Sequence, residues 1–182
     1  MAVTYNTTMD QGADWYITFI YKQPAEITNV SGNGTTVTFT AVNGFTVGQT
    51  VSIDGILPPV YNLQNVQVAT ATGSQFTVTN PAVGIYVSGG IATSPVNVTG
   101  YSAELQLRSL PSDPTPALTL TSQAGEITVT GLSGQFDVHA TAAQTRAIDE
   151  GTYYYDIEIT SQPGIVTRLA QGQVVVTPEV TR

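Results

Sequence analysis

The sequence predicts an all-β protein: a β-sandwich with one short helix, interrupted by an inserted small β-barrel or sandwich module. Three observations predict it. Short segments alternating apolar and polar residues recur along the chain, which is the signature of half-buried strands. Only one stretch carries a helix signature. Two well-patterned segments, residues 15–22 and 102–108, flank a long stretch that holds strands of its own.

Taken in order, Trp15-Tyr16-Ile17-Thr18-Phe19-Ile20-Tyr21-Lys22 reads as the first strand, closed by Lys22-Gln23-Pro24-Ala25. Pro24 has no N–H to donate and suits an edge or a loop. Glu26–Val30 reads as a short strand, and Ser31-Gly32-Asn33-Gly34 as a turn, because Gly and Asn tolerate positive φ. Thr35–Thr40 then alternates cleanly, and Val51 and Ile53 share one face of the next strand. Ile56-Leu57-Pro58-Pro59-Val60-Tyr61-Asn62 is an apolar loop, followed by strands at 65–69 and 75–79. Gly84–Gly90 reads as a strand and a turn.

Ser102–Arg108 resumes the period-two pattern, followed by short strands at 117–120, 126–129 and 135–139. Thr141 with Gln144 three residues on forms a capping box, in which each side chain satisfies an orphan amide of the helix start. Thr152–Ile159 and Ile165–Val176 are two long final strands joined by Ser161-Gln162-Pro163-Gly164. Their edges need partners, and residues 15–22 can supply one only if the N-terminus belongs with the C-terminal part. The expected organisation is therefore a discontinuous outer sandwich, 1–25 and 95–182, with residues 26–94 inserted at a hairpin tip. Residues 15–22 would pair with 101–108. Insertion at a loop costs little, since closure entropy grows only logarithmically with loop length.

Composition narrows the function. Of 182 residues, 41% are hydrophobic and only 10% charged, against about 25% charged in an average domain. Thr, Ser, Asn and Gln make the polar surface instead. The net charge is −8, with five scattered basic residues, Lys22, Arg108, Arg146, Arg168 and Arg182. Nucleic-acid binding needs clustered Lys and Arg, and anionic membranes need the same; neither partner is expected. There is no cysteine. The N-terminus lacks the basic and apolar regions of a signal peptide, and no run is long and apolar enough to span a membrane.

The chemistry-bearing residues do not assemble a catalytic pattern. Asp156 and Glu158 share one strand face, whereas paired-carboxylate hydrolysis needs two groups across a cleft. His139 is the only histidine and no cysteine exists, which leaves zinc without a ligand set. Asp54 with Asp113 or Asp137 could meet calcium only through tertiary accident, as EF-hand spacing is missing. No G-x-S-x-G elbow is present, and Gly84–Gly90 lacks the following helix that a phosphate cradle needs. The chain is expected to be non-enzymatic, with no metal and no cofactor. In Tyr153-Tyr154-Tyr155 the middle ring must face away from the other two; core packing with subunit contact and a carbohydrate-stacking platform both remain open.

The outer segments QGADWYITFIY (11–21), VTGYSAELQLRS (98–109), GEITVTG (125–131), ATAAQTRAI (140–148), GTYYYDIEIT (151–160) and GIVTRLAQGQVVVTPEVTR (164–182) resemble the immunoglobulin-like N-terminal domain of phage baseplate upper proteins. In that family a short turn joins the first two pieces. The insert, with FTVGQTVSIDGILPPVYN (45–62) and FTVT (76–79), resembles another module borne by phage tail and fibre proteins. The resemblance implies a structural component of a bacteriophage particle, made in the host cytoplasm and placed in the tail. It would anchor or join fibres there. Its partners would be tail tube, adaptor, baseplate or fibre subunits, and copies of itself in a symmetric ring, sheath or collar. Head-surface decoration, a carbohydrate-binding module and a wall-degrading enzyme are the alternatives. Expected protein contacts are Leu57, Pro58, Pro59 and Tyr61 on the insert, and Tyr153, Tyr154, Tyr155, Arg168 or the tail 177–182 on the sandwich.

Overall fold

The computed structural model describes residues 2–180. Strands make up 53% of the chain and helix 6%, so the fold is all-β. The chain divides into two compact units: residues up to Tyr21 together with those from Asn97, and Lys22–Val96.

The first unit opens with β1 (Val3–Thr4), β2 (Thr7–Asp10) and β3 (Trp15–Ile20). The second holds β4 (Lys22–Glu26), β5 (Asn29–Gly32), β6 (Thr36–Thr40), β7 (Thr50–Asp54), a 3-10 turn at Pro59–Tyr61, β8 (Leu63–Ala71), β9 (Gln75–Thr79) and β10 (Ile91–Pro95). The first unit then resumes with β11 (Ser102–Arg108), β12 (Leu118–Thr121), β13 (Ile127–Thr130), a 3-10 turn at Gly131–Ser133, and β14 (Gln135–Ala140). Helix α1 (Ala142–Arg146), β15 (Gly151–Thr160) and β16 (Val166–Thr177) complete it.

The first unit has a six-stranded sheet, β1-β16-β15-β11-β12 with β2 also on β16, and a three-stranded sheet, β13-β14-β3. Alternation explains its core. Ala103, Leu105 and Leu107 of β11 and Tyr153, Tyr155, Ile157 and Ile159 of β15 point inward, with Phe19, Phe136 and Val138 from the smaller sheet also buried. Helix α1 carries the capping box read from the sequence: Thr141 Oγ1 accepts from the Gln144 N–H and the Gln144 side chain accepts from the Thr141 N–H. The buried Thr145 hydroxyl donates to the Ala13 carbonyl at 2.8 Å and accepts from the Gly12 N–H at 3.1 Å, which ties the β2–β3 turn to the helix.

Several expectations are overturned. β3 does not pair with β11; it pairs with β14, while β11 lies between β12 and β15. The two segments belong to different sheets, so the insert interrupts a connection between sheets rather than a hairpin. Period-two patterning shows that a strand is half-buried but does not choose its neighbour. The partners of the final strands are β11 on β15 and the N-terminal β1 and β2, which run parallel to β16. Gly172 permits this approach, since a Cβ there would lie 1.9 Å from the Tyr5 carbonyl oxygen. Residues 22–25, expected to close the first strand, instead form β4, which pairs with β10. Pro24 does sit in an end strand of its sheet.

The second unit is a seven-stranded sheet, β4-β10-β7-β8-β9-β6-β5. Its two end strands are joined by Ile27 and Thr28 alone, so the sheet rolls around its core. Glu26–Val30 is therefore two strand ends and a corner, not one strand. Phe39 stacks on Phe76 at 5.0 Å and Phe45 meets Phe76 edge-on at 5.2 Å. Val37, Val51, Ile53, Val68 and Val78 fill the space around them. Gly84–Gly90 is not a strand; its only ladder contact is a single bridge between Ser88 and Leu57.

Candidate functional site

The second unit builds a surface from two loops, 56–62 and 81–90. Tyr61 holds them together. Its ring is fully buried and its hydroxyl donates to the Gly84 carbonyl at 2.8 Å. The backbone adds three bonds: the Leu57 N–H donates to Ser88 O at 3.0 Å, and Leu57 O accepts from the Val87 N–H at 2.9 Å and the Ser88 N–H at 3.4 Å. Asn62 closes the first loop, accepting from the Ile56 N–H at 2.8 Å. At the base, Gly90 has φ +116, and a Cβ there would lie 2.4 Å from Ile56 Cγ1, so only glycine fits.

These constraints fix the backbone while leaving apolar side chains in solvent. Ile85 is 86% exposed, Val87 70% and Leu57 55%, with Val60 and Val83 also exposed. Pro59 is exposed and Pro58 half-buried. Singly exposed apolar residues are ordinary, but five on two mutually bonded loops are the pattern of a contact surface. Tyr61 is not part of that surface, contrary to expectation. It is the core residue on which the loops rest. The 81–90 half escaped sequence reasoning because Ile85-Tyr86-Val87 between glycines reads as a strand. The signal available was Val83, Ile85 and Val87 at alternate positions close to Pro81.

On the first unit, Tyr153 and Tyr155 are buried and only Tyr154 reaches solvent. The triplet therefore offers one ring to a partner, not three. The Tyr155 hydroxyl donates to the Tyr5 carbonyl at 2.8 Å. Burial, with a smaller contribution from Tyr5, pushes the Tyr155 phenol up to about 12. Burial and the nearby Asp149 charge also raise that of Tyr153, whose hydroxyl donates to Asp149 O.

Arg168 is engaged within its own sheet, at 3.0 Å from Asp156 and 3.7 Å from Glu158. With Glu104, Gln106, Arg108, Tyr154 and Gln171 it makes a polar outer face on the six-stranded sheet. Glu104 and Glu158 lie directly opposite each other in register, a like-charge pairing that costs stability in a sheet. The Arg108 guanidinium donates to Gln106 Oε1 at 2.5 Å and to the Asp113 carbonyl. The expected free tail is held at Glu179, which pairs with Arg146 at 2.8 Å and raises the pKa of that guanidinium. Thr181 and Arg182 lie outside the described residues.

His139 stacks on Tyr16, ring centroids 4.4 Å apart and 2° from parallel, with Asp14 at 3.6 Å. Among the described residues no group of three or more His, Asp or Glu could hold a metal ion. Among the same residues no helix is long and apolar enough to cross a membrane. No protein-family model matches the chain, and no curated protein matches it.

Proposed function

We propose that this chain is a non-enzymatic structural component of a tailed-bacteriophage particle, a tail or baseplate protein that anchors or joins fibres. The observation that carries the reading is the pair of bonded loops on the second unit, which presents Leu57, Val60, Val83, Ile85 and Val87 to solvent on a fixed backbone. A partner that covers them gains apolar burial without ordering the loops first, and such preorganisation is what makes a small surface bind usefully. The sandwich segments that resemble baseplate upper proteins, and a polar surface low in charge, support the same reading.

Catalysis needs a nucleophile, acid, base or metal within a rigid shell. The one histidine lies against Tyr16 and Asp14, and the paired carboxylates Asp156 and Glu158 face Arg168 on an open sheet surface. Binding is the function these residues support best.

The experiment is complementation of a gene deletion with Leu57→Asp/Ile85→Asp. Both positions are exposed, so the fold should survive. The particle-bound fraction should fall at least tenfold against wild type, with unchanged thermal stability. Retention of the double variant on particles at wild-type copy number removes the loops from the contact.

A further inference from the structure

We propose that β3 is a pairing edge, and that its occupant is the β3 of a second copy of this chain, antiparallel across a two-fold axis through Thr18. The inference holds wherever the protein works and does not rest on the phage reading.

β3 pairs with β14 on one side only. The Tyr21 N–H donates to Gly134 O at 2.8 Å, which sets the phase of the ladder. Residues 15, 17 and 19 turn their backbone groups toward β14, and Tyr16, Thr18 and Ile20 turn theirs to the open side. Exposed edges are normally blunted by charge, proline, glycine or shortness. The other end strands obey that rule. β4 carries Lys22, Pro24 and Glu26; β5 ends in Gly32; β12 and β13 have four residues each and β1 has two. β3 is six residues, Trp-Tyr-Ile-Thr-Phe-Ile, without a charge, proline or glycine. Tyr16 is 68% exposed, its ring fixed by the stack on His139, and Ile20 is 46% exposed. A groove runs beside the strand to Val3 and Tyr5, which are also exposed.

The sequence of β3 is complementary to itself. An antiparallel pair centred on Thr18 sets Tyr16 against Ile20 of the second copy, Thr18 against Thr18, and Ile20 against Tyr16. Aromatic with β-branched is a pairing that stabilises sheets; the Thr18 hydroxyl donates to Asp137 Oδ1 at 2.6 Å, so the two Thr18 side chains meet as small neutral groups at the axis. The same register engages the outward N–H and C=O of all three residues on each copy. Shifting it by one residue would turn each outer-face side chain against an inner-face one. The register covers two apolar side chains a copy, Tyr16 and Ile20, which is small for a specific interface, so a weak, concentration-dependent dimer is expected.

The chain has no cysteine, which makes the register testable by single thiols in the full-length protein. Directly paired Cα atoms lie about 5.5 Å apart, inside the roughly 4.4–6.8 Å range that a disulfide spans. Thr18→Cys should therefore give a disulfide-linked dimer under mild oxidation. Ile20→Cys should not, because its two thiols would sit four residues apart along the pair, about 13 Å. Sedimentation of the wild type should show a concentration-dependent dimer, and Thr18→Pro, which removes an outward N–H, should shift it to monomer. Equal cross-linking by both thiol variants overturns the register. A monomer at all concentrations up to hundreds of micromolar, with no cross-link from Thr18→Cys, overturns the proposal and leaves the edge to a strand of another protein.

Discussion

Replacing Tyr61 by Phe separates a core role from a contact role at one atom. The ring stays, so the fully buried volume is kept, and only the 2.8 Å bond from the hydroxyl to Gly84 O is lost. A hydrogen bond contributes about 0.5–1.5 kcal/mol net, and more when its loss strands a buried partner. Gly84 is exposed, so water can replace the hydroxyl at the carbonyl, and the cost falls near 1 kcal/mol. The second unit spans Lys22–Val96, and in a domain of about 60–100 residues that loss lowers Tm by about 4–8 °C. Amide exchange read by mass spectrometry should show faster exchange in peptides from 56–62 and 81–90, with β15 and β16 unchanged. Particle recruitment measured well below Tm should fall by no more than about fivefold, the effect of re-ordering the loops at about 1 kcal/mol, since Leu57, Ile85 and Val87 remain exposed. A Tyr61→Phe protein with wild-type Tm and exchange but reduced recruitment would refute the placement of Tyr61 in the core.

Gly172→Ala forces a Cβ to within 1.9 Å of the Tyr5 carbonyl, and should cost about 1–3 kcal/mol as β1 is pushed off β16; urea unfolding measures it, and an unchanged midpoint contradicts the parallel pairing. Tyr155 is neutral when folded, and its phenol is raised to about 12, against about 10 unfolded. Its contribution is therefore complete below pH 10 and lost as pH rises from about 10 through about 12. Alkaline unfolding of the wild type should show that loss and Tyr155→Phe should show less of it; identical alkaline profiles contradict the burial.

The sequence made some elements legible and hid others for physical reasons. β11 and β15 bury alternate residues because one face of each is core, β16 is legible from its length and its β-branched residues despite a register shift against β15, and the α1 capping box is visible because both its side chains lie within four residues. Strand partners were hidden. The pattern of Trp15–Ile20 is the same whether it lies beside β14 or β11, and only the three-dimensional sandwich decides. β1 and β2 were unreadable because Val3–Asp10 buries just Met9 fully, its other residues being half-buried or exposed. Half of the exposed apolar patch proposed as a contact surface, Leu57–Val60, is legible from its apolar, proline-containing loop. Tyr61 was misplaced because nothing local reveals that a 3-10 turn rotates its ring inward.

The most direct measurement is immuno-electron microscopy and mass spectrometry on purified particles from cells expressing the full-length chain. The account predicts label at the tail or baseplate, more than one copy per particle, and tails that lose fibres when residues 22–96 are excised. Protein found only in the soluble fraction, or label confined to capsid faces with tails and fibres intact in its absence, contradicts it.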